Sequence, residues 1–176
     1  MRTDVTTLDS NGANMQTALD TVEGLATIQK LSPRESMHLR LLAEEVLAMV
    51  RMVVTDFTAR FWAEGEGKKY KIILEADVRA KASEKQALLS LSSTGENEAN
   101  LGIGQRIARM FRVGVHSQDE DGYSWSLNNF KKDLKSAPDS WLAQEHLEKS
   151  VIANLATNVR VSIDEGKVKM IVEKDF

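Results

Sequence analysis

Residues 31–35, Leu-Ser-Pro-Arg-Glu, constrain the fold of this chain more than any other stretch. Ser32 can accept from the N–H groups of a helix that begins just after it. Pro33 fits a first helical position, and Glu35 completes a capping box by reaching back to Ser32. Downstream, Leu39, Leu42, Val46, Met49, Val50, Val53 and Phe57 recur at helical spacing, and Leu41, Ala48 and Met52 widen the stripe. A helix apolar over so much of its girth is packed on more than one side. The pattern predicts a central helix from Pro33 to about Trp62, ended by Gly65 and Gly67.

The other segments arrange themselves around that helix. Residues 3–8 are rich in Thr and Val and predict an edge strand. A turn follows, with Ser10 or Asn11 as cap, and Met15, Leu19, Val22 and Ala26 predict a first helix over about 13–30. After the central helix, Tyr70, Ile72, Leu74, Ala76 and Val78 alternate with mostly charged residues, the period of a half-buried strand. Ser83 and Gln86 form a second capping box and open a short helix to about Leu91. The polar loop Ser90–Gly104 then leads into a helix over about 101–113. Residues 116–140 read as a long surface connection with a helical turn near Asn128–Leu134. Pro138 with Asp139 or Ser140 opens a last helix, in which Leu147, Val151 and Leu155 share a face. Finally Val159, Val161 and Ile163 mirror Val168, Met170 and Val172 across Asp164–Lys167, a hairpin. The order β-α-α-β-α-α-loop-α-β-β predicts an α+β two-layer sandwich, a mixed sheet covered on one face by three or four helices.

The chain has 176 residues, enough for one domain over 1–176 that needs no staple. It has no cysteine, which removes disulfides, thiolate nucleophiles and cysteine metal sites. A net charge of −3 argues against a general nucleic-acid binder. No signal-like apolar segment opens the sequence, and its longest apolar run, LAMVRMVV, is too short to span a bilayer. The expectation is a cytoplasmic protein with no membrane or nucleic-acid partner.

Chemistry is concentrated in few places. Gly102-Ile103-Gly104 lacks the third glycine of a dinucleotide fingerprint and does not directly follow a strand, and no Gly-Lys-Ser/Thr P-loop occurs. What remains is a loop with Ser93, Thr94 and Gly95 that leads into a helix N-terminus, an end that favours anions. Arg106 and Arg109 share a face one turn into that helix. The plainer alternative is that the glycines turn the chain and the arginines are solvated. Glu45 lies at the margin of the apolar stripe, beside Leu41, Met49 and Met52. A carboxylate there can act as a general base, or can simply be paired with a neighbour. Glu44 points to the polar side, where Arg40 and Arg51 can pair with it. His38, His116 and His146 show no metal-binding spacing.

Together, LRLLAEEVLAMVRMVV, IILEADVRA, STGENEANLGIGQRIARMF and VRVSIDEGKVKMIVEKDF resemble the GHKL ATP-binding fold of histidine-kinase catalytic domains, anti-sigma-factor serine kinases and gyrase N-domains. The likeness covers most of residues 35–176 and is greatest to the small stand-alone bacterial members. It implies that Glu45 is the catalytic carboxylate, that Asp77 meets the adenine, and that Ser93, Thr94, Gly95, Gly102, Gly104 and Arg106 embrace the phosphates of ATP with its magnesium. The sequence departs from the family at two places. Met49 stands where a magnesium-holding Asn is expected four residues after the Glu, and Val78–Lys81 lacks the glycines that follow the Asp. The resemblance therefore implies a degenerate regulatory module that binds a protein partner, itself included, with weakened or lost ATP binding. The alternative is an active ATPase or serine/threonine kinase of the anti-sigma type.

Overall fold

A computed structural model describes residues 1–9, 11–53, 58–77, 123–136, 150–164 and 167–176. Strand β1 (Thr6–Asp9) is followed by helices α1 (Met15–Ile28) and α2 (Pro33–Val53), then β2 (Thr58–Glu66) and β3 (Lys69–Asp77). After residues 78–122 come β4 (Tyr123–Ser126), α3 (Leu127–Ser136), the short α4 (Val151–Leu155), β5 (Asn158–Asp164) and β6 (Lys167–Asp175). The strands form a six-stranded sheet in the order β1-β2-β3-β6-β5-β4. The molecule is thus an α+β two-layer sandwich.

The capping box at the head of α2 forms as read. Ser32 N–H donates to Glu35 Oε2 at 2.8 Å, and Glu35 N–H donates to Ser32 Oγ at 3.3 Å. Leu39, Leu42, Val46 and Met49 are buried, as are Ala43 and Leu47 beside them. They meet Val22, Leu25 and Ala26 of α1, Ile152 and Ala153 of α4, and one face of the sheet. That face carries Leu8, Ala59, Phe61, Ala63, Tyr70, Ile72, Leu74, Val159, Val161, Val168, Met170 and Val172, the inward positions of period-two strands. The opposite face is a lattice of charges. Glu75 is bound by both Arg60 and Lys169, and Arg160 donates to Glu173 at 2.7 Å.

Several expectations are corrected. The helix predicted through Trp62 stops at Val53, and Thr58–Glu66 is a strand. Its Ala59, Phe61 and Ala63 face the core, while Arg60 and Glu66 face water. This period-two pattern lets β2 pair with β1 on one side and β3 on the other. Gly65 lies inside β2 and does not end a helix; only Gly67 makes the turn, with φ 58° at the first position of a two-residue hairpin loop. Among the described residues each strand pairing is antiparallel, where a mixed sheet was expected. Within the stretch read as a surface connection, the helical turn expected near Asn128–Leu134 is present as α3, but β4 precedes it, Leu127 and Leu134 are buried, and the Phe130 ring lies 6.1 Å from that of Trp125. Of the last predicted helix, the described part is α4, which starts after Ser150; Ser150 is extended and caps α4 through its hydroxyl, and Ile152 and Ala153 are buried while Val151 is exposed. At α1 the cap position is held by Asn14, neither Ser10 nor Asn11; Asp9 Oδ1 accepts from the N–H groups of Asn11 and Ala13 in the turn before it.

Two predictions fit well. The edge strand is β1, at one border of the sheet, and the C-terminal hairpin pairs Asp164 with Lys167 across residues 165 and 166. Ser83, Gln86, Leu147 and the helix predicted over 101–113 lie outside the described residues.

Candidate functional site

The antiparallel register builds one end of the sheet from polar residues. Asp9 is opposite Thr58, Thr58 opposite Asp77, Asp77 opposite Lys167, and Lys167 opposite Asp164. A single row therefore crosses five strands. Helix α2 delivers its C-terminus here, because the four residues between Val53 and Thr58 reach at most about 17 Å. Glu45 lies about 12 Å back along the helix axis from Val53.

Residues 78–122 leave the sheet at this end, after Asp77, and rejoin it beside the same row at Tyr123, opposite Ile163. β3 and β4 are separated by β6 and β5, so the two anchor points stand roughly 14 Å apart at ordinary strand spacing. Ser93, Thr94, Gly95, Gly102, Gly104 and Arg106 belong to that segment and lie outside the described residues, as do Arg109, His116 and His146. Among the described residues singled out in the sequence, Asp77 lies in this row and Glu45 lies on the helix whose C-terminus leads towards it.

The chemistry of α2 separates its two adjacent carboxylates. Glu44 accepts from Arg40 Nε at 2.8 Å, the expected i,i+4 pair, and Arg40 also binds Glu23 of α1, a link that sequence spacing could not reveal. Glu45 is half-buried beside Leu41 and has no hydrogen-bond or ion-pair partner among the described residues.

One turn further, Met49 is 1% exposed and packed into the hydrophobic core. Magnesium takes hard oxygen ligands in near-octahedral geometry. A buried thioether supplies neither the donor atom nor the access, so the magnesium that the resemblance implies does not fit here. Ala48, one turn beyond Glu44, is exposed and offers no donor either. Among the described residues, no group of three or more His, Asp or Glu side chains could hold a metal ion, and no helix is long and apolar enough to cross a membrane.

The titration shifts have structural causes. The Lys68 hydrogen bond, then those from Ser32, hold Glu35 down to about 2. Lys169's hydrogen bond lowers Glu75 against the opposing effect of burial, with Arg60 assisting, and burial raises Tyr70. On the charged face, the Trp62 ring lies 4.6 Å from the Arg2 guanidinium, and its Nε1–H donates to Glu64 at 3.0 Å. Sequence reading put Trp62 at the end of a helix and missed this cluster. The alternation of Thr58–Glu66 was the signal that could have found it.

Comparison with known proteins returns no matching family model, no matching curated protein and no matching solved structure.

Proposed function

We propose that this chain is a degenerate GHKL-like regulatory module that works by binding a protein partner, a second copy of itself included, in the cytoplasm, with ATP binding weakened or lost. The observation that carries this reading is Met49. The helix position that must present a metal-holding amide in an active member is given over to the core. Without that ligand, the charge of a bound triphosphate has lost a main means of neutralisation. The proposal rests on the family resemblance carried by the sequence segments around Glu45, Asp77, Gly95–Gly104 and the C-terminal hairpin.

A second reading, an active ATPase or anti-sigma-type serine/threonine kinase, draws on Glu45. A half-buried carboxylate without a partner among the described residues is the state expected of a general base. Thermal melting with and without Mg-ATP separates the two. A ligand at a hundred times its Kd stabilises a folded protein by about 2.7 kcal/mol. The module reading expects millimolar Mg-ATP to leave the melting temperature unmoved, and a partner recovered by pull-down to bind equally with and without nucleotide. A clear upward shift with Mg-ATP overturns it in favour of the enzyme.

A further inference from the structure

We draw no further inference here: the strongest candidate, the half-buried flank of α2 where His38 and Glu45 stand two turns apart without a partner among the described residues, belongs to the site already described, and nothing in the structure shows what covers it.

Discussion

The two ends of the sheet are built on different principles. At the β2–β3 hairpin end, nearly every group is engaged. Tyr70, 1% exposed, lies across Gly65, donates its hydroxyl to Gly67 O at 3.1 Å and meets the Phe176 ring edge-on at 5.6 Å. Met1 and Gly65 exchange backbone hydrogen bonds, Phe176 N–H donates to Lys68 O, and Lys68 Nζ binds Glu35 at 2.6 Å. The opposite end gathers Asp9, Thr58, Asp77, Lys167 and Asp164 in one row, with α2 leading towards it and Glu45, on that helix, without a partner among the described residues. The hairpin end is tied by packing and closed hydrogen bonds; the opposite end is a row of polar residues aligned by strand register, of which Asp9 accepts from the N–H groups of Asn11 and Ala13. Where a fold carries a ligand site, it commonly draws on the less constrained parts.

The hairpin end gives the largest expected effect. A Cβ placed on Gly65 would meet Tyr70 Cε1 at 2.5 Å, and a ring so deeply buried has little room to move. Gly65→Ala should cost about 1–3 kcal/mol, the usual range for overpacking, read as a lower denaturant midpoint. The same change in a Tyr70→Ala background should cost much less. Equal costs in both backgrounds would show that the Tyr70 ring is not what requires the glycine.

Acid tests the same end. Glu35 has its folded-state pKa lowered, so its contribution is fully present above the unfolded value near 4.5 and is lost as pH falls through about 2. The gap in melting temperature between the native chain and Glu35→Gln should be constant above about pH 5 and close progressively below it. A gap unchanged down to pH 2 would mean that the ion pair with Lys68 is not the cause.

Lys30 offers a smaller change of opposite sign. It sits just past α1 with φ 54°, and Leu31 N–H donates back to Ala26 O, the closing bond of a helix C-terminal motif that favours glycine. Lys30→Gly should stabilise by roughly 0.5–1 kcal/mol if relief of the left-handed backbone outweighs the added freedom of the unfolded chain. A lower midpoint would show the reverse balance.

The smallest effect is expected at the other end. Glu45→Gln should shift stability by no more than about 0.5 kcal/mol, since no described contact depends on the charge. A loss of several kcal/mol would reveal a structural partner and erase the contrast between the ends.

Local chemistry made much of the fold legible. Ser32, Pro33 and Glu35 announce the start of α2 because a capping box is a short-range device. The alternations in β3, β5 and β6 announce strands because one face is wet. The stretch Thr58–Glu66 misled because Phe57, Phe61 and Trp62 also satisfy helical spacing, and only its two neighbouring strands decide between the periods. The antiparallel arrangement of all six strands was out of reach for a related reason: strand order is set by contacts between segments far apart in the chain. Glu45 was singled out from its place at the margin of the stripe, and the structure puts it half-buried on α2. The pairing of Asp77 with Thr58 and Lys167 was not readable, since it depends on register across three strands.

The position of β6 also bears on how the molecule is made. The sheet strand that comes last in the chain lies between β3 and β5, near the sheet's centre, and its register with β3 joins Lys69 to Asp175 and Asp77 to Lys167. During synthesis, β1, β2, β3, α1 and α2 emerge first, and β3 keeps a bare hydrogen-bonding edge until β6 arrives. Closure over so long a separation is entropically slow, and an open strand edge invites wrong partners in the interval. Among the described strands, pairing β6 with β3 closes the longest stretch of chain, so this pairing is expected to form late, and the edge of β3 is where a wrong partner would add until then.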